Sequence, residues 1–267
     1  MFDAAALPSH QRVKGRALAR LEDGLLRDLR QEGSAKVMLP RVFGRAPEVV
    51  FLNTAGGITG GDRLDYALDV TSGAALGTTQ TAERLYRSHG PAGTVTTRLT
   101  LGPGAKLAWL PQELILYDGG RLDRRLEIDM AEDADLVMLE TLVLGRAAMG
   151  ERVRDLSLRD WREVRRSGRT VMVEAVRIGT EDLASDSPAG LGGAVALATL
   201  TCIAPDAEDR LDRVRAALPR TIRCAASAWD GRLTARFMAH DAHPLRRAVA
   251  RVAHVLTGAP LPRVWQI

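Results

Sequence analysis

Cysteine is nearly missing from this chain, with Cys202 and Cys224 the two in 267 residues. Two lone thiols do not make a disulfide framework, and they are too few for a Cys-rich structural zinc site. Each stands in an apolar, strand-like stretch and reads as a reduced core residue. Aromatic residues make up 4%, which leaves few platforms on which single-stranded nucleic acid could stack. Lysine is scarce as well: Lys14, Lys36 and Lys106 stand among 37 basic residues, and the rest is arginine. The planar fork of arginine suits carboxylates at a protein interface as well as phosphates. Apolar runs stay well short of the ~20 residues a membrane span needs. Met1 to Arg20 carries scattered bases but no long apolar stretch and no signal-cleavage pattern, so a cytoplasmic address is expected.

What is present is ordinary for a globular protein: 46% hydrophobic residues, 26% charged, and a net charge of +4. The length allows one large domain or two modest ones. The bases alternate with acids, as in Arg121-Leu122-Asp123-Arg124-Arg125-Leu126-Glu127, instead of forming the block expected of a nucleic-acid surface. No repeat of fixed period and no linker is visible, so residues 1–267 read as one domain.

Most of the chain alternates with the period of a strand. Thr94 to Leu101 places Val95, Leu99 and Leu101 on one side, and Arg125 to Met130 does the same with Leu126, Ile128 and Met130. Asp135 to Leu144 is almost continuously apolar, as suits a strand covered on both faces. Val153–Val164 and Thr170–Ile178 flank a turn-like Arg165-Arg166-Ser167-Gly168-Arg169, and Arg220–Ala228 and Arg232–Ala239 flank Trp229-Asp230-Gly231; both predict hairpins. Helices are expected over Pro205–Leu218, opened by Asp206, Glu208 and Asp209 and stopped by Pro219, and over Pro244–Leu256, with Leu245, Ala248, Val249, Val252 and Leu256 on one stripe. Glu181 to Gly193, centred on Ser185-Asp186-Ser187-Pro188, reads as a loop. The expected fold is therefore mainly β, a layered or sandwich-like architecture with antiparallel and mixed pairing and two helices near the C-terminus.

The most specific stretch is Leu52-Asn53-Thr54-Ala55-Gly56-Gly57-Ile58-Thr59-Gly60-Gly61-Asp62-Arg63-Leu64. Paired glycines mark a sharply turned backbone or a close approach by another group. A phosphate-binding loop would end in Gly-Lys-Ser/Thr, whereas Gly61 is followed by Asp62, and the dinucleotide-binding glycine spacing is absent too. Asn53 to Leu64 instead resembles the signature of the urease accessory protein UreD (UreH) family. Three further blocks fit the same family in order: Thr79-Gln80-Thr81-Ala82-Glu83-Arg84-Leu85-Tyr86-Arg87-Ser88, Leu110-Pro111-Gln112-Glu113-Leu114-Ile115-Leu116-Tyr117-Asp118-Gly119, and Gly145-Arg146-Ala147-Ala148-Met149-Gly150-Glu151. Pro262-Arg263-Val264-Trp265 resembles the family's ending. The resemblance spans roughly residues 36 to 267 and leaves 1–35 outside it. Thr54-Ala55 stands where many members carry a proline pair, and Gln266-Ile267 departs from the usual finish.

The resemblance implies a non-enzymatic nickel-insertion chaperone with no permanently bound cofactor. It implies a helical partner UreF that recruits the GTPase UreG, docking on apo-urease, and dimerisation through that complex. It also implies an internal water-filled passage carrying nickel in transit. Nickel stands high in the Irving–Williams order, so Cys or His clusters would trap it, and a conduit needs exchangeable oxygen ligands. Acids in motif positions or apolar strands are the candidates: Asp62, Glu140, Glu151 and Glu174. Glu140, inside Leu136–Leu144, is costly to bury unless paired or hydrated; a salt bridge to a nearby arginine such as Arg146 is the structural expectation, a place in the passage the functional one, and a hydrated passage lined by paired charges satisfies both. Asp62 reads equally as an acid that caps backbone N–H groups in the glycine turn. Gln80, Tyr86, Arg87, Gln112 and Glu113 serve either core hydrogen bonding or recognition of UreF or urease, and Arg63 stands with the glycines as a motif residue.

An enzymatic alternative would use Asp62 and Glu140 as a paired acid and base in a small hydrolase or lyase. No His-Glu-x-x-His motif or nucleophile elbow accompanies His10, His89, His240, His243 and His254. His240 and His243 have a spacing that would suit a metal only on a helix, and Pro244 makes a strand-to-helix turn the better expectation. An Arg-rich RNA-binding module is the third reading.

Overall fold

Period-two alternation becomes strand along nearly the whole chain, and the strands stack as two sheets. The computed structural model describes residues 12–185 and 187–266. The readings made for Met1–Gln11, including His10, and for Asp186 and Ile267 lie outside the described residues. Strands account for 52% and helix for 14%, so the mainly β expectation holds.

One sheet contains β1 (Lys14–Glu22), β2 (Leu25–Gly33), β5 (Arg63–Val70), β8 (Gly93–Leu101), β11 (Gly120–Met130), β13 (Leu156–Arg166) and β14 (Arg169–Gly179), in the order β14-β13-β11-β8-β5-β1-β2. The second runs β16 (Arg223–Trp229), β17 (Arg232–Ala239), β15 (Ala196–Ile203), β12 (Asp135–Leu144), β9 (Lys106–Trp109), β6 (Ala74–Gln80), β4 (Glu48–Asn53) and β3 (Ala35–Met38), with short β10 (Leu114–Leu116) and β7 (Glu83–Leu85) attached to β12.

The centre of both sheets is parallel: β1, β5, β8, β11 and β13 run together in the first, and β4, β6, β9 and β12 in the second. The chain achieves this by switching sheets at each short turn, from β5 to β6, β8 to β9, and β11 to β12. A parallel pair needs a crossover, and here the crossover is a strand of the opposite sheet. Antiparallel pairing is confined to the flanks, where both predicted hairpins form. Their turns, Ser167-Gly168 and Asp230-Gly231, have positive φ at both residues (47° and 77°, 52° and 69°), the geometry of a two-residue hairpin loop.

Three layers result. Leu136, Met138 and Leu142 of β12 face the first sheet, packing with residues such as Leu99, Leu126 and Leu158. Val137, Leu139 and Val143, on the other face, pack with the helices. The apolar run of β12 is thus covered on both sides, as its composition predicts. All five stripe residues of α3 (Ala242–Thr257; α1 is Thr180–Ala184 and α2 Leu211–Ala217) are buried in that outer layer.

The helix boundaries need correction. α3 begins two residues before Pro244 because the Asp241 carboxylate caps the His243 N–H at 2.8 Å. The expected helix from Pro205 reduces to a single 3-10 turn, Glu208–Arg210, and α2. Asp206 spends its charge on Arg210 (2.6 Å), which also grips Asp135 of β12 (2.5 Å). The loop expected from Glu181 begins inside the short helix α1. Cys202 is buried, where its thiol is pushed up to about 12, while Cys224 is partly exposed; both are free.

Candidate functional site

Alternation fixes which side chains enter the space between the sheets, and at one level those side chains are charged. On β11, Leu122 and Leu126 point inward and so does Arg124 between them; on β13, Asp160 and Arg162 occupy the inward positions between Leu158 and Val164. Glu140 of β12 faces them, and Glu174 of β14 and Arg236 of β17 complete the series. Glu140 Oε2 lies 2.8 Å from Arg124, Arg124 2.5 Å from Asp160, Asp160 2.6 Å from Arg162, Arg162 2.8 Å from Glu174, and Glu174 2.8 Å from Arg236. Arg124 sits directly opposite Asp160 across one pair of strands, and Arg162 opposite Glu174 across the next. Three acids alternate with three arginines, so the seam is neutral overall, as a buried charge layer must be to limit its desolvation cost.

The two inner acids differ. Asp160, fully enclosed, accepts two bonds from Arg124 and two from Arg162. Burial would lift its carboxyl, but the two guanidinium charges outweigh that and hold it below the usual range. Glu140 is 6% exposed, yet its Oε2 finds no hydrogen bond of good geometry, the Arg124 contact being off line. Here burial wins over Arg124 and Arg162 and pushes the carboxyl up. Glu140 lines a cavity of about 70 Å³, whose walls also include Arg124, Trp109, Tyr66, Thr79 and Glu83. The space suffices for a few waters. Burial lifts Glu83 to about 7 and, with the Glu83 charge, raises the Tyr66 phenol.

Glu140 does pair with an arginine as expected, but the partner is Arg124 and not Arg146. Six residues of extended chain span about 20 Å, well beyond side-chain reach, and the cation that meets Glu140 comes from the facing sheet. Arg146 instead pairs with Glu151 at 2.7 Å and lies over the Tyr117 ring at 4.4 Å. Asp62 and Glu140 are not brought together either. The Asp62 carboxylate accepts the Val13 and Thr59 N–H groups at 2.8 Å each, the capping role, so the paired acid and base of the hydrolase reading is absent among the described residues. Of the four acids singled out, Glu140 and Glu174 share the seam, whereas Asp62 and Glu151 hold loops.

Those loops gather at one strand end. In the glycine stretch Gly57 has φ +156°, and a Cβ there would lie 2.3 Å from the Tyr86 ring; one at Gly60 would lie 1.8 Å from Ser88 Oγ. The glycines therefore let the second block lie directly on the first, with Ile58 bonded through its backbone to Arg84 and Tyr86. Gly56 accepts from the Tyr86 hydroxyl at 3.4 Å, and Gly61 takes φ +82°. Tyr86 meets Tyr117 edge to face at 5.2 Å, Arg87 pairs with Asp118, and Asp118 Oδ1 accepts the Arg154 and Asp155 N–H groups. Glu151 accepts from the Asp118 N–H and from Arg146. Arg63 turns outward to Asp65, and Gln80 ends β6 exposed beside Glu83.

Gln112 and Glu113 lock onto the chain end. Glu113 pairs with Arg246 of α3 at 2.8 Å, Gln112 donates to Val264 O, and the Trp265 indole donates to Thr78 and Leu110. His240 Nδ1 contacts Gly193 O at 2.8 Å, and among the described residues no cluster of three or more His, Cys, Asp or Glu is gathered. No helix of the described residues is long and apolar enough to cross a membrane.

The arrangement unites all four sequence blocks, and the family model described as UreD urease accessory protein matches residues 15–266. The chain belongs to the UreD family. A urease accessory protein UreD from a Jannaschia species is 68% identical over 267 residues, spanning 100% of both chains. Another, from Dinoroseobacter shibae, is 53% identical over 270 residues and covers 98% of this chain and 95% of its own. A third, from Paracoccus denitrificans, is 48% identical over 270 residues, covering 100% and 97%.

For this UreD-family chain, sequence reading missed Arg124, Asp160, Arg162, Arg236 and Glu83. The first three carried a signal: each charge occupies a position whose neighbours two residues away are inward apolar residues or another such charge. Arg236 and Glu83 carried none, because their partners come from strands far away in sequence.

Proposed function

We propose that this chain acts in the cytoplasm as the single-domain scaffold on which UreF and UreG assemble upon apo-urease, and that it passes nickel between its two sheets. The observation that carries the reading is Glu140, a buried and incompletely bonded carboxylate facing a hydrated-size cavity at one end of an alternating ion chain. An ion entering there meets oxygens that are already shared with arginines, so each carboxylate can be exchanged between a guanidinium and the cation without holding it permanently. Oxygen donors of this kind bind nickel far less tightly than thiolate or imidazole clusters. Glu140 and Glu174 supply the oxygens, and Arg124, Asp160, Arg162 and Arg236 keep the layer neutral while it is empty. The nickel ion is cargo here and not a resident group.

The glycine loop, with its acid at the end and its backbone filled by Tyr86 and Ser88, leaves GTP chemistry to UreG. Replacing Glu140 by alanine should lower urease activation in cells co-expressing urease and the accessory proteins, with soluble protein at its normal level on immunoblot. Replacing Glu174 as well should lower activation further. Full activation by the double variant would remove the seam from any route for nickel.

A further inference from the structure

We infer that the strand end built from the four sequence blocks is a docking face for a partner protein that presents carboxylates around a small apolar pocket. The inference deepens the scaffold reading and rests on it. Its first support is where the charges go. The ion pairs at this end are Arg87–Asp118, Arg146–Glu151 and Arg121–Asp155. The acids are further spent on backbone: Asp118 on the Arg154 and Asp155 N–H groups, Glu151 on those of Asp118 and Arg146, Asp62 on those of Val13 and Thr59. Arg84, Arg152 and Arg154 are exposed and form no ion pair among the described residues. Among the described residues the face therefore offers three unpaired cations against one exposed unpaired acid, Glu181 of α1 beside the start of β13, and that excess of positive charge selects an acidic surface.

Its second support is the apolar centre. Leu85, the last residue of β7, is fully buried, and its neighbours Arg84 and Tyr86 are both exposed. Tyr86 is 39% exposed and Met149, on the turn that follows Arg146, is 73% exposed. Tyr, Met and Arg are the residue types enriched at the centres of protein interfaces. Tyr86 stands edge to face with Tyr117, and Tyr117 lies under Arg146, so the platform is held rigid and little side-chain freedom remains to be lost on docking. A folded protein fits better than RNA. Met149 offers nothing for a base to stack on, and Tyr86 is already packed edge to face on Tyr117.

The test uses the full chain and a triple variant, Arg84→Glu, Arg152→Glu and Arg154→Glu, which breaks no ion pair described above. Binding to purified UreF, UreG and apo-urease is followed by biolayer interferometry at low and high salt, beside a poly-uridine gel shift. One of the three proteins should bind the wild-type chain. The triple variant should associate on the order of tenfold more slowly, with a flattened salt dependence, and Met149→Asp should speed dissociation. A second triple variant with glutamine at the same positions should fall between, which separates charge from misfolding. Wild-type binding that the charge-reversed variant matches at every salt concentration overturns the docking face while leaving the scaffold intact. Loss of the RNA shift alone overturns it in favour of nucleic acid. Failure of the wild-type chain to bind any of the three removes the scaffold reading and this inference together.

Discussion

Two substitutions in the ion seam, alike in chemistry, should have very unequal consequences for stability. Asp160→Asn removes the charge that both inner arginines share. Asp160 accepts four charge-assisted bonds, two from Arg124 and two from Arg162, and its side chain has no exposure. Without it, Arg124 keeps only the off-line contact with Glu140, and Arg162 keeps Glu174. Leaving buried cations short of a partner costs about 3–5 kcal/mol, a large part of the roughly 5–15 kcal/mol that holds a typical protein folded. Glu140→Gln removes a carboxylate whose burial already works against its ionised form, and Arg124 retains both bonds to Asp160. The cost should stay below about 1 kcal/mol. Urea unfolding, followed by tryptophan fluorescence, reads both. The midpoint should fall steeply for Asp160→Asn and hardly move for Glu140→Gln. Equal losses from the two would refute the division of the seam into a structural centre and an exchangeable end.

The Glu83 carboxyl, lifted by burial to about 7, lies above the ~4.3 of an unfolded glutamate. The folded chain therefore binds that proton more tightly, and stability falls as pH rises from about 4.3 to about 7 and is level above. Glu83→Gln should abolish this slope and raise stability above pH 7 by up to roughly 3 kcal/mol, measured as unfolding midpoints across pH. Gly57→Ala places a Cβ 2.3 Å from the Tyr86 ring at φ +156° and should cost at least about 2 kcal/mol, seen as a lowered melting temperature; an unchanged one would show that the Tyr86 ring moves freely. Arg246→Ala frees Glu113 and the Trp265 carbonyl and should make the segment after Gly258 a site of limited proteolysis, with the rest of the chain protected.

Local pattern carried much of the fold. The apolar run Asp135–Leu144, the stripe of α3 and the Ser167-Gly168 and Asp230-Gly231 turns all declare themselves within one element, because burial on one or two faces and positive φ are local demands. The parallel winding does not. Whether β5 pairs with β8 in the same direction depends on the chain visiting the other sheet between them, and a period-two pattern is the same for either direction. Two strands within residues 14–80 give no alternation to read: β2 is exposed on both faces, and β4 is buried at four successive positions. Glu140 shows the limit at the level of a site. Its setting in an apolar strand announced that it needs a partner, but the partner, Arg124, lies on a strand of the opposite sheet.

The winding also explains why seam and docking face lie together. Because β5, β8, β11 and β13 are parallel, their first residues lie at one end of the molecule, and the loops that enter them carry the sequence blocks. The charged level lies just inside: Arg124 and Asp160 are each the fifth residue of their strand. The cavity below Glu140 is walled by Ile58 from the first block, Thr79 and Glu83 from the second, and Pro111 and Gln112 from the third, as well as by Arg124. Residues of the first three blocks therefore wall the same cavity that Glu140 lines. A partner seated on Tyr86 would lie one residue from Leu85 and two from Ser88 in the second block, and Glu83 borders both that cavity and the cleft at Gln80 and Asn53. Under the proposed function, docking and ion exchange would be coupled through this shared wall, with no need for a change in the sheets themselves.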